Sequence, residues 1–337
     1  CTYKLKSMNK SILIVGLGSI GKRHLRNLVE LGYRNISIVT RHGIPVESFE
    51  EFEFYTSISS ACSSKFVNVV IISTPTSNHI IDLLEALENN IKNIYLEKPI
   101  SHSLDNIKEI ERKVSISNVN IVVGYDLHFD PGLILMKEYI DSNKIGKIVS
   151  FVSEVGQYLP DWRPGVDYRK SMSAHKNQGG GVMLDLVHEF DYINWLVGPI
   201  RSITGKNNKI SNLEIDTEDV SVNIIETDSG VLGTIHLDYL QCELSRTCKV
   251  IGDDGMIIWD YKNSTLKFMS HNDRSWIVHD FSERNRNDRF MDIMSSFMNS
   301  CNGSNDNRLV SFKEAIESIK LVDLSKKSNI SNCAVIV

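Results

Sequence analysis

The stretch Ser11-Ile12-Leu13-Ile14-Val15-Gly16-Leu17-Gly18-Ser19-Ile20-Gly21 decides how this chain is read. Ser11 to Val15, apolar and mostly β-branched after the serine, predict a strand buried on both faces. A GxGxxG turn follows at once. Ile20–Leu31 then carries Leu25, Leu28 and Leu31 on one helical face before Gly32 closes the helix. Such a turn needs glycine because it is tight, because its backbone approaches a pyrophosphate, and because the helix must sit close to the strand. The free N–H groups and dipole at the helix start attract phosphate. Among 20 glycines the pattern can arise by chance, and a merely tight βα turn is the alternative. Its place between a strand and a helix is what predicts dinucleotide binding.

Outward from this turn the alternation continues. Asn35–Thr40, Val67–Ser73, Ile94–Leu96 and Asn120–Gly124 read as strands, and Asn78–Asn90 and Ser103–Val114 as helices. Strand–helix alternation predicts a doubly wound parallel sheet in an α/β fold. After Gly124 the texture changes. A helix over Pro131–Ser142 leads into strands over Lys147–Val155, Arg201–Lys206, Val220–Glu226, Val231–Asp238, Arg246–Ile251 and Met256–Asp260. One helix, Gly181–Leu196, interrupts them, so a mostly antiparallel sheet is expected. Two late helices, Arg284–Cys301 and Ser311–Lys326, close the chain. The expected domains are 8–124 for the dinucleotide and 125–337, an α+β domain for substrate and oligomerisation, whose terminal helix is free to pack back on the first. With no flexible linker between them, the two are expected to share a cleft.

A chain of 337 residues exceeds one ordinary core and fits two domains. Its 42% apolar and 23% charged residues are ordinary for a soluble protein, and the formal charge of −5 argues against nucleic acid as a partner. The six cysteines form no CxxC pair, so neither metal nor disulfides are expected. No apolar run approaches the roughly 18 residues that span a bilayer. Cys1–Ser7 lacks the apolar core of a secretory signal, Met8 is the expected start, and the expected compartment is the cytoplasm.

Four further segments carry chemistry. An NAD-type site places an acid at the end of the second strand to hold the ribose 2′-hydroxyl. Here Val39-Thr40-Arg41-His42 has none. Thr40 leaves room for a 2′-phosphate and Arg41 can pair with it, so NADP is expected, with NAD as the alternative. Arg41 as a solvated loop cation is the other reading. Ser73-Thr74-Pro75 and Glu97-Lys98-Pro99 each end a strand at the carboxyl edge of the sheet, where ligands bind in open α/β folds. The Lys98 ammonium at such an edge can hydrogen-bond a substrate oxygen; otherwise it is a surface lysine. The expected dinucleotide contacts are Gly16, Gly18, Ser19, Ile20, Gly21, Thr40, Arg41, Ser73, Thr74, Pro75, His79, Glu97 and Lys98. In Gly179-Gly180-Gly181-Val-Met-Leu-Asp185-Leu-Val-His188-Glu-Phe-Asp191, three-residue spacing on a helix puts Asp185, His188 and Asp191 on one side. A histidine with a carboxylate partner can exchange the proton that accompanies oxidation of a carbinol. A half-buried structural histidine is the competing reading.

Taken together, the glycine turn, Thr74-Pro75, Glu97-Lys98-Pro99 and Gly179–Leu196 resemble, in order and spacing, the glucose-fructose oxidoreductase / inositol dehydrogenase / rhizopine catabolism (Gfo/Idh/MocA) family. The resemblance spans nearly the whole chain. It implies a Rossmann domain followed by an open-faced sheet that carries the substrate site and often the oligomer interface. It also implies Lys98 and His188 as catalytic residues, with Asp185 beside them. Two departures stand out. The family usually spaces the aspartate and histidine four apart, and these are three apart. The family usually has arginine where this chain has His128, on the substrate side, next to Tyr125. Tyr158–Arg169 is similar, more loosely, to a subgroup from bacterial surface-polysaccharide and sialic-acid-like sugar pathways. There Trp162 and Tyr168 can stack on sugar faces, and Arg163 and Arg169 can clamp an anion. Packing on a neighbouring subunit is the alternative for that loop.

The expectation is therefore an NAD(P)-dependent oxidoreductase for a sugar, sugar acid or nucleotide sugar, working as a homodimer or homotetramer. A non-catalytic dinucleotide-binding regulator and an NAD-dependent glycosidase of the same family are the competing classes. Retention of both Lys98 and His188 favours the enzyme.

Overall fold

A computed structural model describes residues 10–41 and 49–337. The expected start at Met8, the stretch Cys1–Ser7 and His42 lie outside the described residues. The chain divides into two compact units: residues up to Asp126 together with Arg286–Ile316, and Leu127–Asn285 together with Glu317–Val337.

The first unit is built on a seven-stranded sheet. Its parallel strands are β1 (Ile12–Val15), β2 (Ile36–Val39), β3 (Glu53–Tyr55), β4 (Val69–Ile72), β5 (Asn93–Leu96) and β6 (Asn120–Val123). The spatial order is β15 (Val310–Ser311), β6, β5, β4, β1, β2, β3. β1 and β4 are thus the two central strands from which the chain winds in opposite directions, the place where such sheets bind ligands. All residues of β1 and β4 are buried, as expected for strands covered on both faces. Helices α1 (Ser19–Glu30), α2 (Ile58–Ser64), α3 (His79–Glu88) and α4 (Ile107–Ser117) supply the crossovers. Gly32, at φ +94°, takes the left-handed turn that ends α1.

In the second unit, α5 (Pro131–Asp141) starts as its sequence dictates. Asp130 caps the backbone N–H groups of Gly132 and Leu133, and Pro131 occupies the first turn. The indole of Trp259 donates to the same carboxylate at 2.9 Å. The sheet has nine strands in the order β14-β13-β12-β11-β7-β10-β9-β8-β16. These are β7 (Ile148–Gly156), β8 (Ile200–Asn208), β9 (Val220–Thr227), β10 (Leu232–Asp238), β11 (Ser245–Gly252), β12 (Gly255–Asp260), β13 (Thr265–Ser270), β14 (Ile277–Asp280) and β16 (Val335–Ile336). Pairing is antiparallel except between β7 and β10. One face buries Phe151, Ile225, Ile235, Val250 and Trp259, while Val152, Val222, Ile224 and Leu232 stay exposed.

The expected single helix over Gly181–Leu196 is two helices, α6 (Val182–Asp185) and α7 (His188–Val197). Leu186 leaves helical geometry at φ −104°, ψ +31°, and the next backbone bonds, from Glu189 to Leu186 and from Phe190 to Val187, span three residues rather than four. Asp185 ends one helix and His188 begins the next, so their spacing is not that of one continuous helix. The late helices are α8 (Asp288–Ser300) and α9 (Phe312–Ser331), with β15 (Val310–Ser311) between them. β15 pairs antiparallel with β6 and completes the first sheet.

Candidate active site

The glycine turn joins β1 to α1. At Gly16, φ is +91°, and a Cβ there would lie 2.9 Å from the Ser73 carbonyl oxygen and the Thr74 nitrogen. At Gly21 a Cβ would lie 2.1 Å from the Gly16 carbonyl oxygen. Both positions are closed to any larger residue by backbone, which cannot move aside as a side chain can. Gly18 differs. Among the described residues nothing lies within 4 Å of its would-be Cβ, and no side chain caps the helix start it forms. This open approach beside Ser19, Ile20 and Gly21 fits a pyrophosphate held by backbone N–H groups.

Strand register sets the remaining turns beside it. Val15 pairs with Ile72, and Ile72 with Leu96, so Gly16, Ser73 and Glu97 follow side by side. The Ser73 hydroxyl donates to the Gly16 carbonyl at 2.8 Å, fixing the turn. Thr74 donates to Asp82 at 2.6 Å. Burial raises the Asp82 carboxyl, and the Thr74 hydrogen bond and the charge of Arg41 oppose that shift. Arg41 itself is exposed at the end of β2, and the Thr40 hydroxyl oxygen is buried without a hydrogen-bond partner among the described residues.

At the end of β5, Glu97 is buried, Lys98 is half-buried, and the Lys98–Pro99 peptide is cis. His24 Nε2 stands 2.6 Å from Glu97 Oε1, and its ring meets Tyr95 edge-on with centroids 5.2 Å apart. His79 is buried between two carbonyl oxygens, 2.7 Å from that of Pro99 and 2.9 Å from that of Thr74. Burial pushes its pKa down, and the two carbonyls oppose that shift. His79, expected to touch the dinucleotide, thus has both ring nitrogens on protein backbone. Tyr125, expected on the substrate side, is fully buried.

In the second unit the glycine triplet admits close neighbours. A Cβ at Gly180 would lie 2.2 Å from the Met172 carbonyl oxygen, and one at Gly181, where φ is +114°, 2.4 Å from Glu218 Oε1. Asp185 accepts a 2.6 Å hydrogen bond from Tyr239, whose ring meets Trp162 edge-on at 5.2 Å. Burial and the neighbouring Asp185 raise the Tyr239 pKa, so its hydroxyl stays a donor. Trp162 and Asp185 are thereby brought together. Asp191 pairs with His128, Nε2 to Oδ2 at 2.8 Å, and the His128 ring stacks on Trp195 with centroids 4.3 Å apart. His188 is buried at the start of α7. Beside it Glu189, wholly buried, takes both arms of Arg246 at 2.8 and 3.2 Å. Sequence reading missed Glu189, Arg246 and Tyr239.

Arg169, expected to clamp a substrate anion, is engaged by Asp167 and Glu214. Tyr168 accepts from the Glu214 backbone N–H at 3.2 Å, and Arg163 is exposed. Among the described residues no three His, Cys, Asp or Glu side chains gather as a metal site, and no helix is long and apolar enough to cross a membrane.

The first unit, with its open glycine turn at the central strands, defines a dinucleotide-binding protein. Comparison with known families agrees. Residues 10–125 match the oxidoreductase family with an NAD-binding Rossmann fold, and 133–258 match the Gfo/Idh/MocA C-terminal domain. The chain belongs to the Gfo/Idh/MocA oxidoreductase family and is a dehydrogenase. It is 28% identical over 299 residues, 80% of each chain, to scyllo-inositol 2-dehydrogenase (NAD(+)) of Bacillus subtilis. Two solved structures share the fold. Levoglucosan dehydrogenase in complex with NADH has a TM-score of 0.84 at 19% identity, over 97% of this chain and 99% of that one. The WlbA dehydrogenase of Bordetella pertussis, in complex with NADH and UDP-GlcNAcA, has a TM-score of 0.82 at 18% identity, over 98% and 99%.

Proposed function

We propose that this dehydrogenase interconverts a carbinol and a carbonyl on a sugar, sugar acid or nucleotide sugar, with NADP(H) preferred over NAD(H). The observation that carries the reading is the row of turns at the carboxyl edge of β1, β4 and β5, which sets Glu97-Lys98 in line with the open glycine turn. Gly16–Gly21, Thr40, Arg41 and Ser73–Pro75 hold the dinucleotide, which supplies a two-electron acceptor when bound. Lys98 hydrogen-bonds the substrate oxygen and offsets the charge that develops on it. His188 takes the hydroxyl proton during oxidation and returns it during reduction, with Asp185 as its supporting carboxylate. The relatives are named for inositol, levoglucosan and a UDP-sugar, which supports a polyhydroxylated substrate. They are named for NAD(+) or bound to NADH, so cofactor choice is where this chain is expected to part from them. The exposed apolar residues Val152, Val222, Ile224 and Leu232 on one sheet face support a homo-oligomer.

The test is a screen of polyols, sugar acids and nucleotide sugars for change in reduced-nicotinamide absorbance, repeated with two variants. Lys98→Met is expected to abolish turnover while dinucleotide binding persists. His188→Asn is expected to lower kcat by about 10²-fold or more, as for loss of a general acid–base. Retention of most of kcat by either variant on the true substrate overturns the role given to that residue.

A further inference from the structure

Two buried histidines flank Glu97-Lys98-Pro99, and each reaches one neighbour of Lys98. His24 comes from α1, the helix that begins at the glycine turn, and meets the Glu97 carboxylate at 2.6 Å. His79 opens α3, the helix that follows Ser73-Thr74-Pro75, and meets the Pro99 carbonyl oxygen at 2.7 Å. Its other nitrogen faces the Thr74 carbonyl oxygen at 2.9 Å. Neither ring reaches solvent: His24 is 0% and His79 1% exposed.

Packing alone does not call for these groups. Burying a histidine against a carboxylate carries a desolvation cost, and apolar residues of similar volume commonly serve stability as well or better. What the polar pair adds is direction. The Glu97 carboxyl is held by His24 on one side and faces Gly124 on another, where a Cβ would stand 3.1 Å from Glu97 Oε1 and 2.9 Å from the Tyr95 hydroxyl. Its position is therefore narrowly defined. His79 does the same for the backbone one residue past Lys98, and links it to the Thr74-Pro75 turn. A neutral imidazole, the form that burial favours here, donates through one nitrogen to one of these two carbonyls.

We propose that His24 and His79 are positioning residues for Lys98, which anchor the residues before and after it to the helices that follow the glycine turn and the Thr74-Pro75 turn. The assignment rests on the reading of Lys98 as the group that meets the substrate oxygen. It adds that the lysine is placed by the same two elements that build the dinucleotide site.

The experiment uses the full chain without any ligand. Its lysines are reductively methylated with carbon-13, and the Lys98 signal is identified by its absence from Lys98→Arg. In His24→Leu, and separately in His79→Leu, the Lys98 signal is expected to move. The displacement is expected to exceed the width of the signal. His24→Gln, which keeps a donor for Glu97, is expected to restore the wild-type signal. Should His24→Leu fail to fold, His24→Asn, too short to reach, is compared with His24→Gln in the same way. Folded His24 and His79 variants whose Lys98 signal matches wild type overturn the proposal, because a purely structural role lowers melting temperature without moving that signal. The outcome is separable from the functional reading, which fails instead if Lys98→Met still turns over substrate.

Discussion

The Tyr239 hydroxyl donates a 2.6 Å hydrogen bond to Asp185, joining the end of β10 to the last residue of α6. Through its edge-on contact with Trp162, the same tyrosine ties that carboxylate to the aromatic loop. Tyr239→Phe keeps the packing and removes only the donor. Its expected effect on stability is about 0.5–1.5 kcal/mol, the net worth of one hydrogen bond. If Asp185 supports the proton exchange at His188, kcat falls more than KM changes. A variant with unaltered kcat and lowered stability assigns the bond to folding alone.

Arg41 decides the cofactor prediction. It is exposed at the end of β2, and its charge acts on the carboxyl of Asp82 in α3. Arg41→Ala is expected to weaken NADP(H) by about 1.5–3 kcal/mol, the range for hydrogen bonds to charged groups, and to leave NAD(H) nearly unchanged. Fluorescence titration of both reduced cofactors measures this. A wild-type preference for NAD(H) of about tenfold or more, 1.4 kcal/mol, sinks the NADP assignment.

The glycines of the turn separate folding from binding. Gly18 has φ −71° and, among the described residues, open space at its Cβ, so Gly18→Ala is expected to fold normally, with a shift in stability within about 0.5 kcal/mol. The added methyl stands where a pyrophosphate approaches, and dinucleotide affinity is expected to fall. Gly16→Ala meets backbone at 2.9 Å from a left-handed conformation and is expected to destabilise the unit before any ligand is added. Equal dinucleotide affinity in wild type and Gly18→Ala means that the ligand does not approach there.

A pH prediction comes from His236 and Asp238, whose side chains meet at 2.9 Å. The Asp238 hydrogen bond raises the His236 pKa against an opposing effect of burial. Burial pushes Asp238 up, but hydrogen bonds from His236, Gln241 and the backbone carry it below the usual carboxylate range. The histidine's contribution is therefore complete below its unfolded value of about 6.5 and is lost as pH rises through the higher folded value. The aspartate's contribution is present above about 3.9 and is lost as pH falls through its lowered value. The melting-temperature gap between wild type and His236→Gln is expected to be widest near about pH 5–6 and to close on the alkaline side. A gap that is flat in pH shows that no proton is linked to folding at this pair.

The legible parts of this chain were those whose signal is local. β1 and α1 follow from an apolar run, a glycine turn and a leucine face. The short strands β3 and β14 carry little periodicity, and β15 has two residues. Their existence depends on a neighbouring strand rather than on their own pattern. The site shows the same division. Glu97, Lys98 and the glycines stand in recognisable turns. Glu189 and Arg246, 57 residues apart, and His128 and Asp191, 63 apart, are joined only by the fold. The break between α6 and α7 left no Gly or Pro to announce it. Residues 182–193, Asp185 apart, are all buried, so no exposed face marks where the helix bends.

The antiparallel strand β15 has a consequence for how the chain comes into being. It closes the free edge of β6, and in the same return segment Arg289 pairs with Asp126. Both partners lie far downstream of the strand and carboxylate they serve. At a translation speed of about 5–20 residues per second, β6 is synthesised roughly 10–40 seconds before Val310 and Ser311 are made. During that interval the nascent parallel sheet presents an uncapped edge and Asp126 lacks its guanidinium, while the whole of 127–285 is being synthesised between them. The first unit is thus begun first and finished late. Until then its unpaired edge is open to pairing with another nascent chain.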